Sequence, residues 1–164
     1  MLKRLCCLAA GACLMIGASA SPASADLTAF LGFTPTPDHR LVRGLAVGSG
    51  LVIVGFEFEY SDTSDDEETG APSLKTGMAN LLLQTPIPIG RFQPYFTIGG
   101  GLYRERVDAI DRQETSFGSN IGGGGKMTLT GPLRLRLDYR LFNLRGDPLY
   151  STVHRFYGGL NLAF

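Results

Sequence analysis

The segment R-F-Y-G-G-L-N-L-A-F, Arg155 to Phe164, ends the chain and decides the fold that the sequence predicts. Side chains alternate between the two faces of an extended strand. One face of this segment is apolar and ends on Phe164, whereas the other carries Arg155, Asn161 and Ala163. The two-residue period therefore predicts a final β-strand with one apolar side.

The opposite end of the chain has the organisation of a secretory signal peptide. Two basic residues precede an apolar run, Leu5 to Ile16, and small residues follow it. Two A-x-A cleavage sites, 18–20 and 23–25, remain open; we favour the second, which makes 1–25 the signal peptide and 26–164 the mature domain. The apolar run is shorter than the roughly 20 residues of a spanning helix, so export is predicted and not an inner-membrane anchor.

All three cysteines, Cys6, Cys7 and Cys13, lie inside the predicted signal peptide. We therefore expect no disulfide, no thiol nucleophile and no cysteine metal ligand in the mature chain. A lipoprotein modified at Cys13 is the weaker alternative, because residues 14–16 continue the apolar run behind it.

The mature chain is nearly neutral and has no helical pattern. Removing Lys3 and Arg4 leaves 13 basic residues against 15 acidic ones. It has no basic stripe that could neutralise a phosphate backbone, so nucleic acid is excluded as a partner. The full sequence has 22 glycines and no tryptophan, and its mature part shows no sustained i, i+3, i+4 apolar repeat, so the mature chain is predicted to be all-β.

Eight segments of the mature chain have strand character, and the gaps between them alternate in length. The predicted strands are Leu27 to Thr34, Leu41 to Gly48, Val52 to Tyr60, Leu74 to Gln84, Phe92 to Arg106, Ser116 to Thr130, Leu133 to Phe142 and Thr152 to Phe164. Tight turns are predicted at Ser49-Gly50, Pro86 to Gly90 and Gly131-Pro132. The other gaps are longer and polar: Pro35 to Arg40, Ser61 to Pro72, Asp108 to Thr115 and Asn143 to Ser151. Short turns at one rim and longer loops at the other are typical of an up-and-down transmembrane barrel.

Charged and apolar residues occupy opposite faces of the predicted strands. Between Leu133 and Leu141, four leucines and a tyrosine at alternate positions are interleaved with Arg134, Arg136, Asp138 and Arg140. A soluble barrel would turn the leucines inward and a membrane barrel would turn them toward lipid, so this pattern alone leaves both open. The signal peptide, the terminal Phe164 and the turn alternation together favour the membrane barrel.

The mature chain resembles the small outer-membrane β-barrels, such as the transmembrane domain of outer-membrane protein A, OmpX and the opacity-type proteins. The resemblance rests on the tail H-R-F-Y-G-G-L-N-L-A-F, the strand-turn-strand K-M-T-L-T-G-P-L-R-L-R-L-D-Y-R and the strand I-V-G-F-E-F-E-Y. It implies an eight-stranded antiparallel transmembrane β-barrel in the bacterial outer membrane, in contact with lipid and lipopolysaccharide. It also implies biogenesis by the barrel-assembly machinery, with Phe164 in the assembly signal, and a role in envelope integrity, adhesion or surface binding through extracellular loops.

If the apolar faces contact lipid, the alternation places charged side chains in the lumen: Glu57, Glu59, Lys126, Arg136, Asp138, Arg140 and Arg155. An eight-stranded barrel is just wide enough for side chains to fill it. We therefore expect a lumen plugged by ion pairs, with a small pore as the alternative.

Two motifs invite a ligand-binding interpretation. The run G-G-G-G-K, Gly122 to Lys126, departs from a phosphate-binding loop, because Asn120 and Met127 stand where that motif needs Gly and Ser or Thr. Strand glycines at crowded positions explain the run better. The second long loop is acidic and is expected to be solvated, with divalent-cation bridging to lipopolysaccharide or a basic partner as alternatives: Asp62, Asp65, Asp66, Glu67 and Glu68. Its spacing does not match a calcium loop, so no metal and no cofactor is predicted.

An acyl-chain enzyme and a secreted lipocalin-like binder are the remaining alternatives. Candidate catalytic residues lie around the last and first long loops: Ser151, His154, Asp147, Asp38 and His39. Catalysis needs the His within hydrogen-bond reach of the hydroxyl. Residues three apart on a strand point to opposite faces, so Ser151 and His154 do not meet and no enzyme is predicted. A lipocalin-like barrel needs apolar inward faces, and here those faces carry charges.

Overall fold

A computed structural model describes residues 24–66, 68–107 and 111–164. This part of the chain forms eight strands: β1 (Ser24–Thr34), β2 (Arg40–Gly50), β3 (Val54–Thr63), β4 (Ser73–Gln84), β5 (Phe92–Val107), β6 (Arg112–Thr130), β7 (Leu133–Leu144) and β8 (Thr152–Ala163). Each strand pairs antiparallel with its neighbour in sequence, and β8 pairs with β1 to close the barrel. The predicted eight-stranded up-and-down barrel is confirmed. No helix in the described ranges is long and apolar enough to cross a membrane.

The predicted signal peptide falls outside the described residues except for its last two positions. Ser24 and Ala25 belong to β1, where they pair with Gly50 and Ser49 of β2. Which of the two A-x-A sites is cleaved therefore stays a prediction.

The strands form because apolar and polar residues alternate along them and the two sets face different environments. Large apolar side chains cover the outer face, with Leu31 62%, Phe58 71% and Leu137 58% exposed. A continuous exposed belt of this kind needs an apolar surrounding, as in a membrane barrel. The inner face is buried and carries most of the charged residues of the strands.

One rim of the barrel carries its two shortest connections. Residues 51–53, 85–91 and 131–132 connect strands at this rim, which we call the short-turn rim, and Gly131 takes a positive φ of 52° in the shortest of the three. The opposite rim carries the connections that we call the long loops, at 35–39, 64–72, the described part of 108–111, and 145–151. The start of β1 and the end of β8 lie together on the short-turn rim.

Several predicted boundaries are wrong, and the reason lies in pairing. Gly50 pairs with Gly55 of β3, so Ser49-Gly50 is strand and not turn. The turn lies at residues 51–53, closed by the Leu51 N–H, which donates to the Val54 carbonyl oxygen at 2.8 Å. β6 begins at Arg112, four residues before the predicted start, because its polar residues pair with the end of β5. Apolar alternation marks the part of a strand in contact with lipid and misses a polar hairpin that continues beyond it.

Candidate functional site

The lumen holds all seven charged residues that the sequence assigns to it. Each side chain is buried, with no more than 6% of its surface exposed. Six of them lie close enough to form one connected set of ion pairs, which we call the ionic network: Glu57, Glu59, Asp138, Arg136, Arg140 and Arg155. The network contains three carboxylates and three guanidinium groups, so its formal charges cancel.

Arg136 and Arg140 of β7 form the centre of the network. The Arg136 guanidinium pairs with Glu57 on one side and lies 2.9 Å from Asp138 Oδ2 on the other. Arg140 reaches three acids, at 2.8 Å from Glu57, 2.9 Å from Glu59 and 3.2 Å from Asp138. Each acid is therefore shared between bases, which pairs several donors of each buried guanidinium with a carboxylate.

Arg155 of β8 connects the ionic network to the hydroxyl group of Ser61. Its Nη1 lies 3.4 Å from Glu59 Oε1 and donates to Ser61 Oγ at 2.7 Å. The guanidinium also lies 4.3 Å from the centroid of the Phe142 ring, within the range of a cation–π contact. Arg155 thus contacts both acidic and aromatic neighbours.

Two tyrosines complete the polar contacts. The Tyr95 hydroxyl donates to Asp138 and accepts a hydrogen bond from Arg136 Nε at 2.7 Å. Tyr157 donates to Glu59 Oε2 at 3.0 Å. A Cβ added at Gly124 would lie 2.7 Å from the Tyr95 hydroxyl oxygen, so this glycine of the G-G-G-G-K run leaves the space that Tyr95 occupies.

Lys126 lies apart from the ionic network, nearer the short-turn rim. Its Nζ donates to Asp26 Oδ2 at 2.6 Å, and both side chains are largely buried. The sequence analysis missed Asp26 as a partner, because the residue stands next to the predicted cleavage site and before the predicted start of β1.

The half of the lumen toward the long loops contains buried apolar side chains that the sequence analysis did not assign. We call this set the apolar cluster: Leu74, Met78, Tyr103, Phe142, Leu144 and Val153. None of the six is more than 3% exposed. The sequence gives only a weak signal for this cluster. Leu141 and Phe142 are adjacent and both apolar, so both faces of β7 are apolar there and alternation does not identify the inward one.

Hydrogen bonds and ion pairs tie the long loops to the rim above the apolar cluster. Arg40 donates to the Pro72 carbonyl oxygen and, at 2.6 Å, to that of Thr36. Glu105 accepts the Leu149 N–H at 2.9 Å. These contacts join the first, second and fourth loops to the barrel wall.

The candidate catalytic residues are not brought together as a triad. His154 Nδ1 lies 2.9 Å from the Tyr139 hydroxyl on the outer surface. Asp147 pairs with Arg112 at 2.7 Å in the last loop. Asp38 Oδ1 lies 3.7 Å from His39 Nδ1 within the first loop.

A hydrogen bond within the acidic second loop stabilises part of it. Asp66 Oδ1 accepts the Glu68 N–H at 2.9 Å, whereas Glu67 lies outside the described residues. Within the described ranges, no three His, Cys, Asp or Glu residues lie close enough together to hold a metal ion.

Comparisons with known proteins, by family model and by solved structure, both find outer-membrane β-barrels. Residues 41–164 match the family model described as the outer membrane protein beta-barrel domain. The fold is similar to Neisserial surface protein A, at 14% identity and a TM-score of 0.64 over 87% of this chain and 96% of that one. It is also similar to the N-terminal β-barrel domain of Pseudomonas aeruginosa OprF, at 17% identity and a TM-score of 0.65 over 86% and 97%.

A third similar structure is the outer membrane enzyme PagL, at 12% identity and a TM-score of 0.54 over 84% of this chain and 98% of that one. No curated protein matches the sequence. At these identities the structural similarity shows the fold alone, and one fold supports several functions.

Proposed function

Because the chain belongs to the outer membrane protein β-barrel family and lies in the bacterial outer membrane, we propose that it is a structural or interaction protein whose lumen does not conduct. The resemblance and the location expected from the sequence are thereby confirmed. The outward apolar belt and inward charges are the reverse of what a lipocalin-like binder needs. The proposed role is to maintain the envelope or to bind partners through its extracellular loops.

The observation that carries this proposal is the filling of the lumen by two kinds of side chain. The ionic network crosses the barrel from β3 to β7 and β8, and the apolar cluster lies between it and the long loops. A water-filled pore would leave charged groups hydrated, whereas these arginines are fully buried, at 0% exposure for Arg136, Arg140 and Arg155. A barrel of eight strands has room for such side chains and little else.

Planar-bilayer recording of the refolded protein tests the closed lumen. We expect little or no steady conductance from the wild type. Replacing Phe142 and Leu74 by Ser should create transient openings, because the apolar cluster then admits water while the ionic network still obstructs the path. Large, stable, porin-like channels in the wild type would refute the proposal.

The proposed partner in biogenesis is the barrel-assembly machinery. Phe164 is 73% exposed, and it directly follows Ala163 of β8, which pairs in register with Asp26 of β1. The ring is therefore accessible at the seam where β8 meets β1. Phe164→Ser should lower the amount of heat-modifiable protein in the outer membrane, whereas Phe96→Ser, at another lipid-facing ring, should lower it less. If both variants reached wild-type levels, Phe164 would have no role in assembly.

We also propose that the chain is not an enzyme. The contacts of two candidate residues support this: His154 contacts Tyr139, and Asp147 contacts Arg112. Among the described residues, neither forms a hydrogen bond with Ser151. Mass spectrometry of lipopolysaccharide and phospholipids from expressing cells should show unchanged acyl chains. Deacylated lipid that disappears with His154→Ala would contradict this.

A further inference from the structure

A row of charged residues on the outer face runs across four neighbouring strands. Arg43 of β2 pairs in register with Asp62 of β3, Asp62 with Lys75 of β4, and Lys75 with Arg104 of β5. The three basic side chains are exposed. Neighbouring strands lie about 4.8 Å apart, so the row forms one compact patch and not a set of scattered charges.

The positive charge of this row is only partly balanced. Asp62 lies 3.3 Å from Arg43, and in the described ranges no carboxylate forms an ion pair with Lys75 or Arg104. Lys75 and Arg104 stand directly opposite each other on adjacent strands, where like charges repel. An anion bound between the two would relieve this repulsion.

On β3, β4 and β5 the row lies where the apolar belt ends on the side of the long loops, whereas on β2 the exposed Leu41 lies beyond Arg43. The next outward row toward the short turns is apolar: Leu45, Tyr60, Gly77, Leu102 and Phe117. The outer faces of β7, β8 and β1 carry no Lys or Arg among the described residues. The long loops of such barrels are extracellular, so the cations lie at the headgroup level of the outer leaflet, on one side of the barrel.

An apolar groove opens on the outer surface below Arg43. Its volume is about 710 Å³, and two small residues, Ala29 and Gly158, form part of its floor. The walls are large apolar side chains: Leu31, Leu45, Tyr60, Leu135 and Leu160. Arg43 and Asp62 also line the groove, so it begins at the charged row and extends into the apolar belt.

We propose that Arg43, Lys75 and Arg104 bind the phosphate groups of lipopolysaccharide in the outer leaflet, with one of its acyl chains in the groove below Arg43. The occupant follows from the chemistry. A phosphorylated headgroup matches the excess positive charge of the row, and a chain attached to it matches an apolar groove that starts at Arg43 and Asp62, at one end of the same row. This inference assigns residues to the lipopolysaccharide contact that the family resemblance implies, and it rests on the outer-membrane location, not on the closed lumen.

The test is native mass spectrometry of the folded mature protein in a neutral detergent. The probes are bisphosphorylated lipid A, the same lipid with its phosphates removed, and phosphatidylglycerol. K75Q/R104Q removes two charges of the row, and R91Q/R134Q removes two charges at the short-turn rim as a matched control. Heat-modifiable gel mobility verifies that each variant is folded.

The wild type and R91Q/R134Q should bind bisphosphorylated lipid A alike, and K75Q/R104Q should bind it about tenfold more weakly. Removal of the lipid phosphates should weaken binding by a similar factor. Equal binding by both double variants would overturn the proposal. Binding of phosphatidylglycerol as tight as that of lipid A would overturn the assignment to lipopolysaccharide.

The groove has its own test at Ala29. Ala29→Leu fills the floor and should weaken lipid A binding, whereas Ala29→Ser keeps the space open and should not. Equal binding by both variants would exclude the acyl chain from the groove. Because these readouts measure lipid bound in detergent, their failure is distinct from any failure of the closed lumen, which is measured as conductance.

Discussion

The two regions of the lumen are equally buried and are held together in opposite ways. The ionic network joins residues far apart in sequence; Glu57 and Arg136 are 79 positions apart. The apolar cluster packs side chains from β4, β5, β7 and β8 beneath the long loops. The first region depends on charge balance, and the second on filled volume.

This difference determines how each region responds to a lost side chain. In the ionic network every acid contacts at least two bases, so removal of one leaves charged partners without compensation in a space of low polarity. In the apolar cluster the loss is graded, because neighbouring side chains close part of the cavity. The ionic network should therefore behave as a unit and the apolar cluster as a sum of contacts.

The largest effect is expected from Glu57→Gln. The substitution keeps the shape of the side chain and leaves Arg136 and Arg140 with one acid fewer, which should lower the free energy of unfolding by about 3 to 5 kcal/mol. Urea titration in lipid vesicles measures this value. A cost below about 1 kcal/mol would show that Glu57 is solvated by water. The distinction between the ionic network and the apolar cluster would then be wrong.

The lipid-facing surface provides a reference outside both regions. Leu137→Arg should destabilise the barrel by about 2 to 4 kcal/mol if the residue lies near the middle of the bilayer. Asn161→Ser, at an inward position where Asn161 donates to Thr28 Oγ1 at 2.9 Å, should cost much less. Equal costs in the same titration would show that the faces are assigned wrongly.

A smaller effect is expected in the apolar cluster. Leu74→Ala should cost about 2 to 3 kcal/mol, because a cavity forms among side chains that can partly close it. The matched change outside the cluster is Leu102→Ala on the lipid face, where lipid replaces the lost contacts and the cost should be smaller. A Leu74→Ala cost no greater than that of Leu102→Ala would mean that the cluster is not packed as described.

The smallest effect is expected at the rim. Arg112 and Asp147 form an ion pair at 2.7 Å, but the Asp147 side chain is 91% exposed. Asp147→Asn should change the free energy of unfolding by less than about 1 kcal/mol, since solvent screens exposed pairs. A cost as large as that of Glu57→Gln would show that burial does not separate the two classes of ion pair.

Alternation along single strands, together with the signal peptide, the terminal Phe164 and the alternating loop lengths, predicted the barrel and the inward position of the seven lumenal charged residues. It could not identify partners, because the contact between Glu57 and Arg136 depends on the stagger of β3 against β7 across the lumen. It also missed the apolar cluster, since Leu141 and Phe142 are both apolar and the pattern cannot distinguish lipid from packed interior. The Ser49-Gly50 turn was wrong because ladder pairing with β1 and β3 extends β2 past the residues that usually form turns.

The outward cations were missed for a different reason. Arg43, Lys75 and Arg104 interrupt apolar faces near the ends of three separate strands, and only the register places them in one row. The sequence did contain a signal for them. Each is a charged residue at a position that alternation assigns to the outer face, near the end of a strand that meets a long loop.

A double-mutant cycle between Glu57 and Arg136 tests the central claim most directly. The variant that carries both Glu57→Gln and Arg136→Met leaves two acids and two bases in the network, so charge balance returns. Its cost should be smaller than the sum of the single costs by at least about 1 kcal/mol, while Glu57→Gln and Leu74→Ala should add within about 0.5 kcal/mol. Additive costs in both cycles would contradict the claim that the ionic network acts as a unit.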